Sequence, residues 1–271
     1  MNLYGVKRYI MINKFCSKGS CIINADASNI TNNIILEDSQ ETNNTEYIHI
    51  TIHKPKYEYV HGRKFKSSPQ WIVVHYTACA NVSAQSMCKA MRNNKDASSH
   101  FYIDEKDICM AVPLEYIAWH VGNGKCKQPG GKNVFSLEEL ANYKASDWRY
   151  DIAAKNHIEL QSKNDDFLGN SQSIGVDLCC KKVSTKTKKA TDKDWYFEDL
   201  CVDNTAKTVA YLCKKYNIDL NHVIRHCDAT GKLCPRPFVS LSDDETNDEK
   251  WIEFKNSVKS YIDCNIEVEF I

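Results

Sequence analysis

The chain has 271 residues, with 35 basic and 35 acidic side chains, 13 cysteines, 42% hydrophobic and 26% charged residues. At about 150 residues per domain this is room for one or two domains, and the apolar supply can build one substantial core without a metal or disulfide. A formal net charge of zero argues against a generally basic nucleic-acid binder, and no apolar stretch reaches the roughly 18 residues of a membrane-spanning helix.

The opening segment, MNLYGVKRYIMINKFCSKGSCIINAD, interrupts its apolar runs at Lys7, Arg8, Asn13 and Lys14. It lacks the continuous apolar stretch and small-residue cleavage site of a secretory signal, so a product made and kept in the cytoplasm, unless released by another route, is expected. Residues 1–46 are rich in Asn, Ser and Thr and read as an N-terminal extension or small β appendage. Residues 47–271 read as the main domain. It opens with YIHITIH from Tyr47, whose alternation suits an edge strand.

WIVVHYTA (Trp71 to Ala78) is a β-branched run suited to a strand buried on both faces. Asn81 to Asn94 predicts a helix capped by Ser83, with Met87, Ala90 and Met91 at helical spacing. SSHFYID and ICMAVP predict a hairpin around Glu105, Lys106 and Asp107. Residues 122–173 carry Pro129, Gly130 and Gly131 and a short helical pattern at Leu137 to Ala145, and read as an insertion. SIGVDLCC (Ser173 to Cys180) is a second buried strand, and the lysine-rich run after it reads as a solvated turn. Trp195 to Tyr216 predicts a long amphipathic helix with Leu200, Thr208, Tyr211 and Leu212 in the core; HVIRH predicts a short strand and Glu249 to Ile262 a closing helix. Strands alternating with helices predict an α/β fold, a single mixed β-sheet flanked by helices.

The cysteine number is odd, with no CxxC pair, and the adjacent Cys179 and Cys180 point to opposite faces of their strand. Reduced, buried thiols are therefore expected rather than a disulfide framework. Three residues offer more. His75 and His226 each end an apolar strand, where α/β folds place their sites, and Cys234 follows His226 by eight positions in HCDATGKLCP. Two imidazoles and a thiolate are zinc ligands that leave a tetrahedral position open. Residue types alone leave the alternative standing, since a single strand-end histidine is more often a hydrogen-bonded residue and a lone cysteine a small buried hydrophobe.

From Trp71 to Phe238 the chain resembles the zinc-dependent N-acetylmuramoyl-L-alanine amidases of the type 2 amidase family, related to peptidoglycan recognition proteins. WIVVHYTA, SSHFYID, AWHVGNG, SIGVDLCC and IRHCDATGKLCPRPF occur in the family's order. The resemblance implies a type 2 amidase-like fold, Zn2+ held by His75, His226 and Cys234, and a peptidoglycan (muropeptide) substrate; the charge balance and hydropathy lead to no nucleic-acid or membrane partner being expected. It places Lys232 at the lysine used near the developing oxyanion and Asp177 where many members carry a catalytic glutamate. That aspartate is a departure, shorter by one methylene; it either shuttles the proton or holds a ligand histidine in the right tautomer. His120 matches a cleft histidine, and Trp119 and Tyr76 join it as substrate-binding candidates. The implied chemistry is hydrolysis by zinc-activated water, with Lys232 stabilising the oxyanion and Asp177 acting as acid–base, as in an endolysin or autolysin. A non-catalytic peptidoglycan-binding module of the same fold is the alternative. A cysteine hydrolase fits poorly, because Cys234 precedes Pro235 and does not open a helix that would lower its pKa.

Overall fold

A computed structural model describes residues 45–53, 63–92, 94, 96–122, 169–184, 186–230, 232–242 and 244–271. The N-terminal extension up to residue 44, and the expected helix at Leu137 to Ala145 within the insertion, lie outside the described residues. Among those described, the strands are β1 (Thr45–Ile52), β2 (Trp71–Tyr76), β3 (Phe101–Ile103), β4 (Ile108–Met110), β5 (Ser173–Leu178), β6 (Lys181–Lys182), β7 (Trp195–Tyr196), β8 (Val223–Arg225) and β9 (Asn265–Phe270). The α-helices are α1 (Ala84–Met91), α2 (Asp199–Tyr216), α3 (His226–Thr230) and α4 (Asn247–Ile262).

Seven strands form one mixed sheet in the order β8-β2-β5-β3-β4-β1-β9. The β3–β4 hairpin is antiparallel and the other pairings are parallel. Period-two alternation assigns the faces. Ile48, Ile50, Ile72, Val74, Phe101, Ile103, Ile108, Met110, Ile174, Val176 and Leu178 point to one side, where they form the main core with α2 and α4. Each such side chain, once fully buried, stabilises the fold by roughly 1.5–3 kcal/mol. The alternate residues, Trp71, Val73, Tyr102 and Cys109, face the other side and are covered by α1 and α3. Helices thus lie on both faces, as the strand–helix alternation predicts.

Several expectations need correction. β1 is not an edge strand, because β9 pairs with it along six positions from Thr45 to Ile50; β9 is short, charged and alternating, and shows no apolar run in the sequence. The helix expected from Trp195 begins at Asp199, since Trp195 and Tyr196 instead pair with Lys182 and Lys181 as β7 and β6. Leu200 is 61% exposed, because the buried stripe of α2 runs through Cys201, Thr205, Thr208, Val209 and Leu212. Ala90 is likewise exposed on α1. The lysine-rich run is not wholly solvated: Lys182 is buried and pairs with Asp192 and Asp194. The closing helix starts two residues earlier, at Asn247. All ten described cysteines are free thiols, eight of them buried.

Candidate metal centre

β2 lies between β5 and β8 and runs parallel to both, so three strand C-termini gather at one edge of the sheet. Register then sets the site. His75 stands opposite Asp177, and Asp177 opposite Tyr102. His226 does not end its strand but opens α3 directly after Arg225. The chain returns to the same place at Cys234, whose carbonyl accepts from the Cys227 amide at 2.8 Å.

One ligand atom from each of His75, His226 and Cys234 lies within 4.8 Å of the others. Their residues are 4%, 6% and 3% exposed. His75 Nδ1 is 3.7 Å from Cys234 Sγ, and the two imidazole rings meet edge to face with centroids 4.6 Å apart. His226 Nδ1 is buried with no hydrogen-bond partner among the described residues. A buried polar atom left bare is costly, and this one belongs to a residue that stands among three metal-ligating side chains. The three residues form a candidate metal site, and the fit is chemical as well as geometric. Burial and neighbouring charge push both imidazoles well below their ordinary value, so they are neutral and free to donate a lone pair. Burial pushes the Cys234 thiol up to about 12 against the pull of Lys232, so cation binding there must release a proton.

His120 is tied to the site through His75. Its Nδ1 is 2.9 Å from His75 Nε2, and its Nε2 is 3.3 Å from both the carbonyl and hydroxyl oxygens of Ser173. If His75 offers Nδ1 to a cation, its Nε2–H donates to His120 Nδ1, and His120 Nε2–H donates to Ser173. Every ring nitrogen in that chain then has one role. Asn170 fixes the His120 backbone by accepting at 3.0 Å. Gly175, on β5 below the ring, makes room for it: a Cβ there would stand 2.6 Å from His120 Cγ. Sequence reading missed Gly175, Ser173 and Asn170, and also His100, whose Nδ1 accepts from the Gly175 amide at 3.0 Å while its Nε2–H donates to the Tyr116 carbonyl at 2.9 Å.

The three residues open into a cleft of about 600 Å³ lined by Tyr76, Trp119, His120, Asp177 and Lys232 among others. All eight candidate residues therefore converge. Burial pushes the Asp177 carboxyl up to about 6, opposed by the Ser99 hydroxyl and the Lys232 ammonium. Lys232 is exposed on the loop before Cys234. Tyr76 is more a wall than a reaching group, since its ring is buried against Trp195, Cys180 and Cys234.

Residues 65–237 match the family model described as N-acetylmuramoyl-L-alanine amidase. The chain belongs to that family. Among curated amidases it is 28% identical over 193 residues to N-acetylmuramoyl-L-alanine amidase BlyA of Bacillus subtilis (strain 168), covering 69% of this chain and 40% of that protein. It is 27% identical over 190 residues to N-acetylmuramoyl-L-alanine amidase CwlL of Bacillus licheniformis, covering 67% and 40%. The chain thus matches about 40% of the length of these relatives. Among solved structures, PlyL is 21% identical with a TM-score of 0.49, covering 79% of this chain and 99% of that one.

Proposed function

We propose that this amidase-family chain is a zinc-dependent peptidoglycan hydrolase that cleaves the amide between N-acetylmuramic acid and L-alanine, as an endolysin or autolysin does. The observation that carries the reading is the meeting of two neutral imidazoles and one thiol in a cleft, where His226 Nδ1 is buried and has no hydrogen-bond partner among the described residues. Two nitrogens and one sulfur suit zinc, and three protein ligands leave one position open, the pattern of catalytic rather than structural sites. When bound, zinc supplies Lewis-acid polarisation of a carbonyl oxygen and a lowered pKa for water.

The remaining work falls to the chain. His75, His226 and Cys234 hold the ion, and His120 fixes the tautomer and tilt of His75 through the 2.9 Å contact. Lys232 brings a cation to the cleft without a fixed ion-pair partner among the described residues, which suits an oxyanion that exists only during reaction. Asp177, with its carboxyl near 6, can accept a proton from attacking water and return it to the leaving amine close to neutral pH. β5 sets it directly across from His75, and it lines the same cleft. Trp119 and Tyr76 wall the cleft that takes the muropeptide.

The test uses the purified full chain and isolated cell wall. New alanine amino termini without new reducing sugar ends, lost on chelation and restored by zinc, are the expected result. Hydrolysis that survives complete metal removal overturns the zinc reading, and wall binding without any release of amine returns the non-catalytic module instead.

A further inference from the structure

A second group of ligating side chains lies outside the cleft. His53, directly after β1, Cys88 on α1 and Cys109 on β4 each present one ligand atom within 4.8 Å of the others. The sheet builds half of it. β1 and β4 run parallel with Thr51 opposite Cys109 and Ile52 opposite Met110, and the ladder continues as the His53 amide donates to the Met110 carbonyl at 2.8 Å. Alternation therefore turns Thr51, His53 and Cys109 to the face that α1 covers. There α1 buries Ala84, Met87 and Cys88. Cys88 and Cys109 are both fully buried. His53 Nε2 is buried with no hydrogen-bond partner among the described residues.

This differs from ordinary core thiols in the same molecule. Cys201 Sγ points at the Ile103 carbonyl at 3.3 Å, and Cys227 Sγ at the Asp228 carboxylate at 3.5 Å, each a satisfied S–H donor. Cys88 and Cys109 instead meet each other and an unpaired imidazole. We propose that His53, Cys88 and Cys109 form a second metal site for a thiophilic d10 cation, zinc or cuprous ion. Bond lengths of about 2.3 Å to sulfur and 2.0–2.1 Å to nitrogen place tetrahedral ligands roughly 3.5–4 Å apart, within the observed spread. Soft thiolates with one imidazole select such ions over magnesium or calcium. Lys89 on α1 and Arg92 at its C-cap add positive charge near His53 and Asp107 a negative one, but two ionised sulfurs cancel a divalent charge and the same cations favour the thiolates. Cys88 and Cys109 share a packed cluster with Met87 and Tyr102, which also line the cleft, so an ion here ties α1, one wall of the cleft, to the sheet.

The test counts bound metal in the full chain, stripped of metal and then reloaded with zinc or, in a separate arm, cuprous ion. The Cys234→Ser background removes a ligand of the first site, so the two sites report independently. The expected result is one equivalent retained in Cys234→Ser, lost on adding Cys88→Ser and Cys109→Ser. His53→Gln, a substitution at the half-exposed end of β1, weakens it tenfold or more while the protein still folds by circular dichroism. Cobalt in the Cys234→Ser background should give a sulfur-to-metal charge-transfer band that His53→Gln alters. Bound metal should also slow alkylation of Cys88 and Cys109, read by peptide mass spectrometry. A Cys234→Ser protein that holds no metal, or holds it with unchanged affinity in His53→Gln, overturns the proposal and leaves the amidase reading untouched.

Discussion

Replacing Gly175 with alanine tests the link between His120 and the metal centre without touching any ligand. The new Cβ would lie 2.6 Å from His120 Cγ, 2.8 Å from His120 Nδ1 and 2.8 Å from Ser99 Oγ. Non-bonded carbons are comfortable at about 3.5–4.0 Å, so the ring must retreat by close to an ångström. It has little freedom to do so, being held by His75 at 2.9 Å, by Ser173 at 3.3 Å and through its backbone by Asn170. The strand cannot retreat either, since the Gly175 amide donates to His100 and its carbonyl accepts from the His100 amide.

Overpacking of this kind costs about 1–3 kcal/mol of stability. Displacing the partner that orients a ligand histidine lowers metal affinity by about 10–100-fold, or roughly 1.4–2.8 kcal/mol. Urea unfolding of the metal-free protein reads the first loss, and competition for zinc against a chromophoric chelator reads the second. The double variant Gly175→Ala with His120→Ala separates them: removing the ring should recover stability but not zinc affinity. If Gly175→Ala leaves both quantities at parental values, the His75–His120 contact does not organise the site.

Cys234→Ser should lose most of the bound zinc and the amide hydrolysis, read by metal analysis and release of alanine amino termini. Lys232→Ala should keep its zinc while kcat falls about 10²–10³-fold, the usual effect of deleting an oxyanion donor. Asp177→Asn should stabilise the metal-free protein in a pH-dependent way. Burial raises the folded carboxyl to about 6, so the fold favours the protonated form; the gain is absent below about pH 4 and grows to on the order of 1–3 kcal/mol as pH rises through the folded value. That variant should at the same time hydrolyse wall poorly. Glu245→Ala should cost about 3–5 kcal/mol by leaving buried Arg236 without its partner. Burial raises the Glu245 carboxyl, but the Arg236 bond and the Leu241 amide outweigh it and hold it below the usual carboxylate range. Its stabilisation is therefore present above that range and lost as pH falls through the lowered value, which acid titration of parent and variant should show.

The strands of the sheet's centre were legible because burial on both faces leaves an unmistakable β-branched run, as in WIVVHY and SIGVDL. β9 was not, because NIEVEF is half-exposed along its whole length and carries two glutamates. The start of α2 was misread for a tertiary reason: Trp195 is drawn into a ladder with Lys182, and its indole N–H donates to the Lys189 carbonyl at 2.9 Å. The candidate ligands could be picked out only through the resemblance of WIVVHYTA and IRHCDATGKLCPRPF to a known family, since a strand-end histidine or a lone cysteine is by itself more often structural. What supports them could not, since a glycine under a ring, or an asparagine that accepts from the His120 backbone, has no signature until the fold brings residues 120, 170 and 175 together.

Two of the three candidate ligands, His226 and Cys234, depend on one segment for their placement. His226 opens the short helix α3, and Cys234 follows in a stretch outside any helix or strand. The adjoining arginines supply the stiffness. Arg225, immediately before His226, grips Asp228 with its Nε and a terminal nitrogen, donates to the Phe238 carbonyl at 2.7 Å and pairs with Asp248 on α4. Arg236, two residues after Cys234, makes a two-pronged bond to Glu245 at 2.9 and 3.0 Å and donates to the Val239 carbonyl. Paired guanidinium and carboxylate groups contribute little net stability when buried, but their planar, bidentate geometry fixes direction. These charges are thus better understood as holding the two ends of the loop at a set spacing from β2 and α4. Replacing both partners of a pair by apolar residues, which spares the fold a lone buried charge, should be felt first in zinc affinity, because a ligand atom displaced by a fraction of an ångström weakens a metal bond before it loosens a core.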